Sequence, residues 1–172
     1  VNAQPTLRPT KYGTLALAHN GNLTNTGDLA ELVQKLEATY TRGATTDTEI
    51  MTALIALQDS KNVEASALAV LPQLEGAFSL IFMDERTLYA ARDRHGVRPL
   101  VLGKLETGWV VASESAGLDI VGAAFVREIE PGELISVDAQ GVRSQRWADA
   151  QPKGCLFEYV YLARPDTTIA GS

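Results

Sequence analysis

Four places in this chain hold residue types that could do chemistry: His19-Asn20-Gly21-Asn22, Asp47, the run at 92–100, and Cys155. An Asn side-chain amide beside a Gly backbone N–H offers a pair of donors to a developing oxyanion. The same tetrapeptide is also a strong turn signal, because Asn and Gly both tolerate positive φ. Asp47 lies between Thr46 and Glu49, which have capping-box spacing. It reads either as a structural carboxylate favoured by a helix dipole or as the acceptor for a substrate ammonium. The helix sequence does not choose. Arg92-Asp93-Arg94-His95-Gly96-Val97-Arg98-Pro99-Leu100 reads as a charged turn between strands, where solvated Arg/Asp pairs are worth little.

The remaining inventory is short. His19 and His95 are the only histidines and Cys155 the only cysteine. Two histidines without ligand spacing do not predict a metal site, so none is expected. Cys155 with His19 could form a nucleophile and its base, which would make the chain a hydrolase in its own right. The apolar setting CLFEYVY favours a buried, inert thiol instead.

These residues need elements to position them. TLALA at 14–18 fits a buried strand after an irregular segment at 1–13, and it stops at the Asn-Gly turn. Leu29, Leu32, Val33, Leu36 and Tyr40 recur at helical spacing, predicting a helix over about 27–40 capped by Asn25 or Thr26. A second helix starts at Thr46, and a third covers about 64–74. Short strands follow at 77–84, 87–93, 100–104, 109–115, 125–129, 133–138 and 141–147, with a helical turn at 114–122. Helices first and strands after suggest an α+β layered domain rather than alternating βαβ units.

Composition narrows the function classes. The chain has 172 residues, 15 Lys+Arg against 21 Asp+Glu, and a net charge of −6. That balance argues against nucleic acid as a partner. No apolar run approaches membrane-spanning length, and one cysteine excludes an internal disulfide framework. A cytoplasmic protein is expected.

Taken in order, NAQP at 2–5, AHNGNLTN at 18–25, TTDTEI at 45–50, LEGAFSLIFMD at 74–84, ARDRHGVRPLVLG at 91–103, ASES at 112–115, EPGE at 130–133 and FEYVYLARPD at 157–166 resemble the glutaminase domain of the amidophosphoribosyltransferase family. These are class II, N-terminal-nucleophile glutamine amidotransferases. HNGN and DTE are shared across that class. RHGVRPL and FEYVYLARPD are particular to the purine-pathway family and set aside glucosamine-6-phosphate synthase and asparagine synthetase.

The resemblance implies a four-layer αββα sandwich of the N-terminal-nucleophile hydrolase type, incomplete here. It implies that Asn20 and Gly21 form the oxyanion hole for glutamine and that Asp47 binds its α-amino group. Residues 1–172 are expected to be a partial type 2 glutamine amidotransferase domain, with its start and the phosphoribosyltransferase domain absent. The family's nucleophile is an N-terminal cysteine, and residue 1 here is valine, so this chain alone is expected to be inactive. The implied partners are L-glutamine and, through the other domain, phosphoribosyl pyrophosphate, within a homo-oligomer. Missing upstream strands would leave sheet edges that self-associate. No cofactor is expected in this chain. Mg2+ and, in some members, an iron–sulfur cluster belong to the full-length enzyme. A competing reading is a non-catalytic binding or assembly domain of the same fold.

Overall fold

The structure, a computed structural model, describes residues 3–37 and 46–155. Two antiparallel sheets carry the chain. One has the order β1-β2-β3-β4-β8-β9, built from β1 Thr6–Thr10, β2 Gly13–Leu23, β3 Gly76–Met83, β4 Leu88–Arg92, β8 Glu133–Asp138 and β9 Gly141–Arg146. The other has the order β6-β5-β7, from β5 Val101–Lys104, β6 Trp109–Ala112 and β7 Ala124–Glu128. The helices are α1 Thr26–Leu36, α2 Asp47–Leu57, α3 Val63–Val70, which runs into a 3-10 turn at Leu71–Gln73, and α4 Ser115–Ile120.

The alternation of side chains along the strands stacks these elements into layers. Leu15, Leu17, Phe78, Leu80 and Phe82 face α1, α2 and α3 and form the largest core with Ile50, Met51, Leu54 and Val33. Ile81, Ala90, Ile135 and Val137 point the other way, onto Leu100, Leu102, Trp109 and Val111 of the second sheet. The far side of that sheet presents Val101, Val110 and Ala112 to Leu118 of α4 and to Ala123. Three apolar interfaces thus separate helix, sheet, sheet and helix, the αββα sandwich that the resemblance implies. Adjacent residues such as Leu80 and Ile81 serve different cores because their side chains alternate between faces.

Helix starts follow the local chemistry. Thr46 caps α2 with both halves of the capping box in place: its side chain accepts from the Glu49 N–H, and the Glu49 carboxylate accepts from the Thr46 N–H. Asn25 occupies the N-cap position of α1 but makes no cap bond there. Its amide instead donates to the Gln73 carbonyl and accepts the Glu75 N–H, tying the two loops together.

Three expectations are corrected. The segment 1–13 is not irregular throughout, because Thr6–Thr10 is an edge strand on β2. Pro9 is tolerated there because an edge strand has one side with no ladder to supply. The Asn-Gly step is not a turn either. β2 runs straight through it to Leu23, paired in register with β3. Long-range pairing overrides the local turn preference, and glycine absorbs the strain: Gly21 has φ +145°. The expected first helix stops early, at Leu36, with Glu37 already extended; residues 38–40 and the part of CLFEYVYLARPD beyond Cys155 lie outside the described residues.

Candidate active site

β2 brings the residues of interest to one strand end. Its register with β3 sets Asn20 against Ser79 and Gly21 against Phe78. The chains approach so closely at Gly21 that a Cβ there would collide with the Ala77 carbonyl oxygen.

Phe78 spends both backbone groups on Asp93: its N–H donates to the carboxylate at 3.0 Å, and its carbonyl accepts the Asp93 N–H at 2.9 Å. Both bonds face β4, so the Gly21–Phe78 pair is of the non-hydrogen-bonded kind. The Gly21 N–H therefore points off the opposite edge of β2. β1 covers that edge only as far as Leu17. Beyond it, the His19 N–H donates to Gln4 Oε1 at 2.6 Å and the Leu23 N–H to Asp47 Oδ2 at 2.8 Å. Asp47, the first residue of α2, thus sits on the same edge as the Gly21 N–H. The offset is two residues of strand, about 7 Å.

The Asn20 amide is held at both ends. Arg98 Nη2 donates to Oδ1 at 2.8 Å, and Nδ2 donates to Ser113 Oγ at 3.3 Å. The second bond is long by ordinary standards. The imidazole of His19 lies within electrostatic reach of Asp47 and Arg98. Burial pushes it below the ordinary 6.5; the Asp47 charge opposes that shift and the Arg98 charge adds to it. Its Nε2 is buried without a hydrogen-bond partner among the described residues.

The run 92–100 is not a solvated turn. Arg92 and Asp93 are both buried. The Arg92 guanidinium donates to the carbonyls of Gly96, Arg98 and Ile129, at 2.9, 2.9 and 2.7 Å, and to Glu128 Oε2 at 3.2 Å. Asp93 Oδ1 accepts the His95 and Gly96 N–H groups. A short polar loop that crosses a core must satisfy its own backbone, and these two side chains do that. The sequence reading gives no role to Arg98 or Ser113, which lie 78 and 93 positions from Asn20. No local spacing could reveal such partners.

The structure brings Asn20, Gly21 and Asp47 together. No hydrogen bond joins Cys155 to His19 among the described residues, and Cys155 is half-buried. A cavity of about 470 Å3 is lined by Thr24, Leu74, Phe78, Asp93, His95 and Trp147 among others, but by none of those three. Among the described residues no group of three or more His, Cys, Asp or Glu could hold a metal. The chain holds a single cysteine, Cys155, and one thiolate does not hold an iron–sulfur cluster by itself. No described helix is long and apolar enough to cross a membrane.

The helix–sheet–sheet–helix sandwich that carries Asn20, Gly21 and Asp47 along one strand edge matches solved glutamine amidotransferase structures in fold. The chain belongs to that family: the model described as "Glutamine amidotransferase domain" matches residues 1–119. Amidophosphoribosyltransferase of Mycobacterium tuberculosis is 60% identical over 176 residues, covering 99% of this chain and 33% of that protein. The Synechococcus elongatus enzyme of the same name is 43% identical over 99% of this chain and 36% of its own length. In structure, the glutamine phosphoribosylpyrophosphate amidotransferase of B. subtilis, solved with ADP and GMP, superposes with a TM-score of 0.92 at 36% identity. That match covers 99% of this chain and 37% of the other. The chain therefore spans about a third of the length of the curated relatives it matches.

Proposed function

We propose that this chain is the glutamine-hydrolysing domain of an amidophosphoribosyltransferase. In this reading the amide carbonyl of L-glutamine sits against Asn20 Nδ2 and the Gly21 N–H, and the α-ammonium sits at Asp47. The observation that carries it is the shared edge of β2, where the outward Gly21 N–H and the Asp47 carboxylate are two residues apart. That span suits an extended glutamine, with donors at the reacting end and an anion at the ammonium end. The donors are fixed before substrate arrives, which is what lets them favour the tetrahedral state over the planar amide.

The thiolate that attacks the amide comes from residues outside these 172, as does the phosphoribosyl half. The liberated ammonia displaces pyrophosphate from phosphoribosyl pyrophosphate to give 5-phosphoribosylamine, a step of purine synthesis in the cytoplasm. The enzyme works as a homo-oligomer, and exposed Ile120, Val121, Phe125 and Val126 are apolar surface that assembly could cover.

The test is ammonia release from L-glutamine by the 172-residue chain beside one extended upstream to the native start. Activity in the extended chain alone is expected. Activity in the short chain would transfer the nucleophile to Cys155. Silence from a folded extended chain would favour the non-catalytic domain.

A further inference from the structure

We propose that Arg98 is the positioning residue for the Asn20 amide. It fixes which end of that amide faces the glutamine carbonyl. The inference rests on the reading of Asn20 as an oxyanion donor and adds a residue that reading does not use. A primary amide presents an oxygen and a nitrogen of nearly equal size, and only the nitrogen can donate. An oxyanion site built on Asn fails if the group turns over. A guanidinium has five N–H donors and no acceptor. With Arg98 Nη2 at 2.8 Å from Oδ1, the flipped amide would set N–H against N–H. The correct orientation is thereby enforced, and Nδ2 is turned away from the cation.

Arg98 is well placed for this because its own backbone is fixed from two sides. Its carbonyl accepts Arg92 Nε at 2.9 Å and Ser79 Oγ at 3.2 Å. Ser79 is the cross-strand partner of Asn20. The path from Asn20 across the ladder to Ser79, on to the Arg98 carbonyl and back through the Arg98 side chain is a closed ring. Its geometry is set by the β2–β3 register. The cation at the oxygen end also polarises the amide, making Nδ2–H a stronger donor. The long bond from Nδ2 to Ser113 Oγ leaves that donor ready for a better acceptor.

The experiment is a double-mutant cycle in the natural open reading frame that carries these residues, reading glutamine hydrolysis. Arg98→Met is expected to lower kcat roughly 10–100-fold, less than the loss of about 100–1,000-fold typical of deleting an oxyanion donor. KM for glutamine should stay within about twofold, since the interaction matters only in the transition state. Arg98→Lys should restore part of kcat. In an Asn20→Ala background, Arg98→Met should cost less than about twofold, because its target is already gone. Additive losses, or a change in KM alone, would overturn the proposal; if Arg98→Met does not fold, the Arg98→Lys cycle is read the same way. Unchanged activity in Asn20→Ala would instead remove the oxyanion reading itself, a separate outcome.

Discussion

The Asp93 carboxylate accepts the Phe78 N–H at 3.0 Å while the Asp93 N–H donates to the Phe78 carbonyl at 2.9 Å. One buried acid therefore completes the strand that lies against Gly21. With His95 and Gly96 also bonded to it, the buried Asp93 satisfies three backbone donors. Asp93→Ala is expected to lower unfolding free energy by about 3 kcal/mol, chiefly through donors left unsatisfied. Urea unfolding of the natural protein measures it. A loss within the noise would mean that water replaces the carboxylate.

Gly21→Ala should be worse than its size suggests. The added methyl meets the Ala77 carbonyl, and an L-residue pays strain at φ +145°. A loss of about 3 kcal/mol or more is expected, with glutamine hydrolysis abolished. Thermal unfolding beside an ammonia assay separates the effects, and full activity would show that the strand can shift away.

Asp47→Asn should do the reverse, sparing the fold and damaging the substrate site. The Thr46–Glu49 box does not involve Asp47, and an Asn oxygen can still accept the Leu23 N–H. Stability should fall by only about 0.5 kcal/mol, from the lost helix-start charge. KM for glutamine should rise roughly 10–150-fold, the worth of a hydrogen bond to a charged group. An unmoved KM would place the α-ammonium elsewhere.

How much of this could be read from the amino acids varies by element. The Thr46 box was legible because capping is local: donor, acceptor and spacing all fall within four residues. The strands from Ala77 onward were legible through alternation and Gly/Pro punctuation. The Asn20-Gly21 step misled because its turn preference is local, whereas the pairing with Ser79 and Phe78 that overrides it is long-range. Asn20, Gly21 and Asp47 could be named from motifs. Arg98 could not be linked to Asn20, nor Arg92 to Glu128, since each pair meets only when the sheets stack. The charged look of 92–100 even pointed outward, although its Arg92 and Asp93 are buried.

His19 should make stability depend on pH near neutrality. Burial lowers its folded pKa below 6.5, so the unfolded chain takes up the proton first. Stability is then complete above about pH 6.5 and declines as pH falls from there towards the lower folded value. His19→Gln should flatten that slope, checked by urea unfolding between pH 5 and 7.5. Equal slopes in both proteins would show that His19 protonates freely when folded.

Glu133 works on the acid side. Burial alone would raise its pKa, but the Arg127 guanidinium, Ser144 Oγ and the Glu130 N–H together hold it below its usual value. Its stabilisation is present above the ordinary carboxylate range and disappears as pH falls through the depressed folded value. Glu133→Gln should cost about 1–2 kcal/mol at pH 7, discounted because Arg127 is partly exposed, and nearly nothing once the carboxyl is protonated. A cost that persists into acid would assign the effect to packing.

The smaller sheet has two unlike borders. β7 is fastened back to the larger sheet, through Glu128 to Arg92 and through Arg127 to Glu133. β6, at the other border, pairs only with β5 among the described residues and ends at Ala112. The next residue, Ser113, touches Asn20. Among the described residues, the border of that sheet with no further strand is therefore the one that leads into the Asn20 amide.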